Sequence, residues 1–354
     1  MIPASRSILD TTAAAVAIMV AAPAAVANPV PGLRPSTCHE VTAALPDSDR
    51  TIAGTLCSPP GAHAVQILLH GYTTNRSYWD FPYLWPTYSY AHAAETAGFA
   101  TLRIDLLGSG TSSHPPSTAL GYGDQAAAVH QLVSALRDGS LGGVRFDTVA
   151  IVGHSSGSLV GLLEAAHYHD VDALVSTAFT PMFNVDDILT RLAPNLVPAV
   201  LDPRFSDSGL DLGYVTTRAG SRAMFYHPAD TDPQVIAADE KSKDTTAMPM
   251  LATVTPGTVS EALRAVDIPV LTVNGADDPF SCGFLASDCS SSAALAASGH
   301  AVFGPMAAVE AEVVPHSGHN LALEYTAPAT AQTILSFLVR HLGTGHPHTT
   351  EAGR

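Results

Sequence analysis

The chain has 354 residues, 46 % apolar and only 14 % charged, which excludes an intrinsically disordered chain and allows one large domain or two ordinary ones. Sixteen Lys and Arg against 32 Asp and Glu leave a formal charge of -16. So acidic a surface repels phosphate backbones and anionic lipid, which argues against nucleic acid as a partner.

In chain order, Arg6 precedes an apolar run from Thr11 to Ala27 that closes on Ala25-Val26-Ala27 ahead of polar Asn28. Small residues there suit signal-peptidase cleavage. The run approaches the ~20 residues that span a bilayer, but Pro23 and an excess of Ala over Leu make it a poor anchor. Residues 1–27 are therefore expected to be a signal peptide, and the mature chain to be secreted without stable membrane association.

Four cysteines suit an oxidising compartment. Cys38 and Cys57 bracket two predicted strands, near Cys38–Leu45 and Thr51–Cys57, around the turn Pro46-Asp47-Ser48-Asp49. Cys282 and Cys289 lie seven apart in a Ser-rich loop. Three pairings are open; the local disulfides Cys38–Cys57 and Cys282–Cys289 are the simplest. No Cys pair has a His pair at zinc spacing.

Further strands are expected at Ala64–His70, Ala100–Asp105, Thr148–Val152, Val171–Thr177, Ile268–Asn274 and Val309–Val314. Helices are expected near Tyr88–Ala97, Gly123–Arg137, Ser155–His167 and Thr326–Leu342. Strands and helices alternating at this rhythm indicate a mostly parallel sheet covered on both faces. Phe179 to about Val266 breaks the rhythm. It shows no clear buried strand, several helix-like pieces and many prolines, and it is too long for a plain loop. A mostly helical lid over the carboxyl edge of the sheet is expected there. The tail from Gly343 carries His346 and His348, is expected to be disordered, and makes only a weak metal motif.

Gly153-His154-Ser155-Ser156-Gly157 falls between a buried strand and a helix. A serine hydroxyl attacks only when a base takes its proton and the backbone presents it clear of its neighbours. A tight strand-to-helix turn does the second, and leaves no room for side chains two residues either side of the serine.

These residues, with His70-Gly71, Asp105-x-x-Gly108-x-Gly110-x-Ser112, Gly275-x-x-Asp278 and Gly318-His319, resemble the α/β-hydrolase superfamily from roughly Ile52 to Leu342. The resemblance implies an α/β fold: an eight-stranded, mostly parallel sheet flanked by helices, with core segments 28–178 and 267–342, a helical lid insertion at 179–266, and a tail at 343–354. It implies Ser155 as nucleophile, His319 rather than His316 as base, and Asp278 rather than Asp277 as the acid that orients the base. Asp186 and Asp187 are remoter alternatives for the acid. Backbone N–H groups of Tyr72 and Ser156 would form the oxyanion hole. His70 and Asp105 would be scaffold. An aromatic cluster of Tyr72, Tyr78, Trp79, Phe81, Tyr83, Trp85 and Tyr88 follows the oxyanion strand, there to pack the lid or to touch substrate.

The expected activity is hydrolysis of a small to medium, largely apolar carboxylic ester through an acyl-enzyme. Thioester, lactone or C–C hydrolysis, a peptidase, and a catalytically silent extracellular binding module are the alternatives. Serine at position 155 speaks against epoxide hydrolysis and dehalogenation, whose resembling enzymes attack with aspartate. No dinucleotide glycine pattern is present, and the expected chemistry needs no cofactor.

Overall fold

The computed structural model describes residues 36–343, apart from positions 47, 254 and 284–285. The expected signal segment 1–27 and the expected tail beyond Gly343 lie outside the described residues. An eight-stranded sheet runs in the order β1-β2-β4-β3-β5-β6-β10-β11. β1 (Thr37–Ala44) and β2 (Thr51–Ser58) form an antiparallel hairpin, and β2 pairs antiparallel with β4 (Ala100–Ile104). The remaining pairs are parallel, joining β4, β3 (Ala64–Leu69), β5 (Thr148–His154), β6 (Ala173–Thr177), β10 (Val270–Gly275) and β11 (Val309–Val314).

The central strands read as continuous apolar runs because both of their faces are covered. Alternate residues of β3 and β5 enter different cores: Val65, Ile67, Val149 and Ile151 pack with α2 (Tyr122–Asp138) and α3 (Ser156–Tyr168). Ala64, Leu68, Ala150 and Val152 face α1 (Tyr90–Thr96) and the C-terminal helix α8 (Ala327–Leu342). The sheet's outer strands are polar, as edges must be to avoid pairing with other chains: β1 is largely exposed, and β11 carries Glu310 and Glu312. Both expected disulfides are present. Cys38 and Cys57 are paired residues of the β1–β2 ladder. No helix among the described residues is long and apolar enough to cross a membrane.

The chain between β6 and β10 departs from the expected run of helices. It opens on a single helical turn, α4 (Val185–Asp187), which continues as a π-helical turn over Ile188–Leu192. A small antiparallel sheet follows, of β7 (Leu196–Pro198), β8 (Tyr214–Thr217) and β9 (Thr246–Ala247), with β8 fully buried. Two regular helices complete it, α5 (Pro233–Ser242) and α6 (Pro256–Ala265). Pro194 and Pro198 interrupt the helix that the spacing of Leu192, Leu196, Val197, Val200 and Leu201 suggests, because proline lacks the N–H and clashes with the preceding turn. Strands of two to four residues are also too short for alternation to register.

The aromatic residues share one buried cluster with Phe225, Tyr226 and Val235 of this segment, and Leu192 packs against that cluster. Tyr78, Trp79, Phe81 and Tyr88 are buried in the core beneath α1 and α8, while Leu189 and Leu201 are 62 % and 71 % exposed. Tyr83 also meets the insertion by a hydrogen bond, its hydroxyl donating to Asp232 at 3.0 Å. A further helix, α7 (Ser292–His300), lies against β11 in a stretch where the sequence suggests no element.

A buried ion pair inside the insertion carries a hydrogen bond to the core. Arg222, 1 % exposed, donates to both oxygens of Asp239 at 2.8 and 2.9 Å and to the hydroxyl of Thr73 at 3.0 Å. Removing one partner of such a pair strands a buried charge, at a cost of about 3–5 kcal/mol. Arg222→Met should lower the stability measured by urea denaturation by about that amount, and Arg222→Met/Asp239→Leu should recover much of it. Equal losses in the single and double variants would show that the pair does not act as a unit.

Candidate active site

Three loops at the carboxyl edge of the sheet build the site. β5 ends at His154, α3 begins at Ser156, and Ser155 between them adopts φ 51°, ψ −119°. A non-glycine residue in such a conformation costs of order 1–3 kcal/mol and persists only when its surroundings hold it. Its N–H donates to the Thr177 carbonyl at 2.8 Å. A Cβ on Gly153 would lie 2.5 Å from the Cα of Ser158, and one on Gly157 would lie 2.5 Å from the carbonyl oxygens of Leu69 and His70. The turn therefore needs glycine at both positions, and it aims the hydroxyl outward from the positive end of α3.

His319 lies in the loop after β11. Its Nε2 is 2.8 Å from Ser155 Oγ, and its Nδ1 is 2.9 Å from Asp278 Oδ2. Asp278, in the loop after β10, is 1 % exposed and also accepts the Phe280 N–H at 2.9 Å and the Asn274 amide at 3.2 Å. With Nδ1–H donated to the carboxylate, Nε2 is left to accept the serine hydroxyl. The two loops touch backbone to backbone: a Cβ on Gly275 would fall 2.1 Å from the Gly318 carbonyl oxygen.

The alternatives lie elsewhere. Asp277 turns outward, 3.8 Å from His227; His316 is exposed beside Asp230; Asp187 pairs with Arg191 and Asn184. Tyr72 and Ser156 both line the cavity beside Ser155.

The shell around these groups holds residues that sequence reasoning did not single out. The Phe225 carbonyl accepts the N–H groups of His319 and Asn320 at 2.8 and 2.9 Å, so the insertion itself fixes the histidine loop. Glu324, fully buried, accepts the N–H groups of Gly318 and His227, each at 2.9 Å. Burial pushes its carboxyl up to about 7 against those hydrogen bonds. The ring of His154 stacks on Tyr78 at 4.2 Å, and burial holds it well below the usual imidazole range, so it stays neutral beside His319. His70 and Asp105 are scaffold: His70 Nε2 accepts the Leu106 N–H at 3.0 Å, and Asp105 accepts those of Arg76 and Thr111 at 2.9 Å.

Ser155 and His319 open into a cavity of about 410 Å³. Its walls are mainly apolar, with Leu159, Phe179, Phe183, Ile188, Phe225 and Phe280 among them; Arg222, which also lines it, is held by Asp239 and Thr73. Among the described residues, two groups have their ligand atoms close enough to hold a metal, and neither belongs to this cavity. One is Cys38, Cys57 and Glu95, whose thiols are consumed in a disulfide; the other is His130, Glu164 and Asp170.

The sequence matches the alpha/beta hydrolase family over residues 66–332. The chain belongs to the α/β hydrolase family. It is an enzyme of the hydrolase type. Solved structures with the same fold include an esterase from Exiguobacterium antarcticum, 16 % identical with a TM-score of 0.60, over 85 % of this chain and 99 % of that one. A putative aryl esterase from Burkholderia cenocepacia is 18 % identical with a TM-score of 0.56, over 86 % and 99 %. A bromoperoxidase from Bacillus anthracis is 16 % identical with a TM-score of 0.59, over 85 % and 99 %. At such identities the likeness is one of fold. No curated protein matches this hydrolase significantly.

Glu324 gives the hydrolase a pH-dependent element. Between the ordinary 4.5 and about 7 the folded chain keeps a proton that the unfolded chain has released. This group's contribution to stability is therefore complete below about 4.5 and lost as pH rises through 7, about 3 kcal/mol in all. Thermal unfolding of wild type and Glu324→Gln between pH 5 and 8.5 should show the wild type falling relative to the variant across that window. Parallel profiles would contradict the assignment.

Proposed function

We propose that the protein is an exported serine esterase in which Ser155 attacks the carbonyl of a small to medium, largely apolar carboxylic ester. The observation that carries this reading is the hydrogen-bonded chain Ser155–His319–Asp278 at the mouth of an apolar cavity. As Oγ bonds to the carbonyl carbon, its proton passes to His319 Nε2, and Asp278 stabilises the imidazolium without taking the proton. The carbonyl oxygen becomes an oxyanion held by the N–H groups of Tyr72 and Ser156. The tetrahedral centre collapses, His319 protonates the departing alkoxide, and the acyl group stays on Oγ. Water then attacks that acyl group, giving its proton to His319. The carboxylic acid leaves, and the proton returns to Ser155. Ester and water become acid and alcohol, and no cofactor enters the balance.

The cavity supports the substrate class. Its volume lies at the lower end of the range for small-molecule sites, and its phenylalanine and leucine walls favour apolar acyl or alcohol groups. The segment Met182–Leu192 is the reading's lid: Val185, Ile188, Leu189 and Leu192 line the cavity, yet Val185 and Leu189 are themselves exposed.

Ser155→Ala should lower kcat/KM for p-nitrophenyl esters by at least ~10³-fold with unchanged circular dichroism. Asp278→Asn should cripple turnover far more than Asp277→Asn. Across esters of increasing acyl length at matched solubility, activity should peak at short to medium chains. Full activity in Ser155→Ala, equal mild losses in the two aspartate variants, or activity climbing to long chains with a jump at an oil–water interface would each overturn the corresponding part of the reading.

Export rests on the apolar N-terminal run and on both disulfides, which persist in oxidising compartments. Mass spectrometry of protein recovered from the culture medium should find a mature N-terminus at Asn28 and no free thiol. Protein retained in the cytosol with four alkylatable thiols would refute it.

A further inference from the structure

α2 and α3 pack side by side, and where α3 ends three potential ligands converge: His130 of α2, Glu164 of α3 and Asp170 just beyond α3. Their ligand atoms all lie within 4.8 Å of one another. Glu164 is fully buried, and neither of its carboxylate oxygens has a hydrogen-bond partner; Asp170 Oδ1 is buried and unpartnered as well. A buried carboxylate without donors is costly, and two of them side by side repel each other. The one guanidinium nearby does not relieve this. Arg137 spends its donors on the carbonyls of Asp147 and Asp170 and on the carboxylate of Asp172.

The rest of the cluster is arranged for a cation. The His130 ring stacks on Tyr168 at 3.9 Å with 4° between the planes, which fixes the direction of Nδ1, 2.7 Å from Asp170 Oδ2. The side chains of His130 and Asp170 are 27 % and 24 % exposed, leaving an approach from solvent and room for a water ligand. One imidazole nitrogen with two carboxylates is a donor set for zinc and related divalent transition metals; calcium takes six to eight oxygens and does not use imidazole.

We propose that His130, Glu164 and Asp170 form a binding site for a divalent transition metal of the zinc type, which staples α2 to the end of α3. The site is separate from the ester site, since Glu164 lies eight residues along α3 from Ser156, about 12 Å at the helical rise. The metal's role is structural: it clamps the far end of the helix whose first turn presents Ser155. In its absence a proton takes its place, since burial and the neighbouring Asp170 push the Glu164 carboxyl up to about 9.

The test uses the full-length protein, stripped with EDTA and then titrated with zinc chloride. Equilibrium dialysis followed by elemental analysis should find one zinc per chain that is lost in His130→Ala and Glu164→Gln. Thermal unfolding of the wild type should rise by roughly 3–6 °C at saturating zinc and stay unchanged in both variants. The variants keep His346 and His348, so zinc bound by the tail would persist in them and be told apart. Glu164→Gln mimics the protonated acid and should fold, with esterase activity at the wild-type level. If zinc neither binds nor shifts unfolding in the wild type, or binds equally to the variants, the cluster holds only a proton and the proposal fails.

Discussion

Backbone crowding at the carboxyl edge of one parallel sheet is the constraint on which the site depends. Because β3, β5, β10 and β11 run the same way, the loops that follow them emerge together, and four groups from distant parts of the chain share one small volume. The close approach is possible only where side chains are missing. Gly157 lets α3 start against the last carbonyls of β3, and Gly275 lets the aspartate loop rest on the histidine loop. These contacts hold together the loops on which Ser155, His319 and Asp278 lie 2.8 and 2.9 Å apart in the hydrogen-bonded chain. Displacements of about 1 Å in such a constellation can cost a hundredfold in rate.

The insertion divides into two parts with different physics. From Tyr214 to Ala247 it is built into the site. Arg222 and Asp239 form a buried pair that reaches Thr73, Thr246 accepts the Thr73 N–H at 2.9 Å, and the Phe225 carbonyl holds His319. Moving this part would break its hydrogen bonds to Thr73 and unseat the histidine. Met182 to Leu192 instead lays the exposed side chains of Val185 and Leu189 along the cavity, after hydrogen bonds to the core at Met182 and Asn184. Under the proposed reading, substrate admission falls to that short segment while the remainder stays fixed.

What could be read beforehand follows the same physics. The central strands were legible because burial on both faces gives apolar runs bounded by glycine, and the serine because its turn demands Gly153 and Gly157. His319 over His316 and Asp278 over Asp277 rested on family resemblance alone. Neighbouring identical residues differ only in what the fold aims at them, here the Phe280 N–H and the Asn274 amide. The small sheet β7–β9 and α7 were not legible, since strands this short and a helix of Ala and Ser carry no periodic signal. The aromatic residues after β3 were visible as a cluster, yet which face they would cover is a tertiary matter. Glu164 had left a trace, a single acid inside the apolar run Leu162-Leu163-Glu164-Ala165-Ala166. So had Glu324, but its two backbone donors, Gly318 and His227, belong to loops that meet only in the folded chain.

The central claim is that the fold makes one hydroxyl, and no other, a nucleophile. A fluorophosphonate probe bonds covalently to a serine oxygen only when a neighbouring base removes its proton, so peptide mapping after labelling reads that activation directly. The account predicts one equivalent of label per chain, all of it on Ser155, and none after His319→Ala. Label on any other serine, or undiminished labelling without His319, would contradict it.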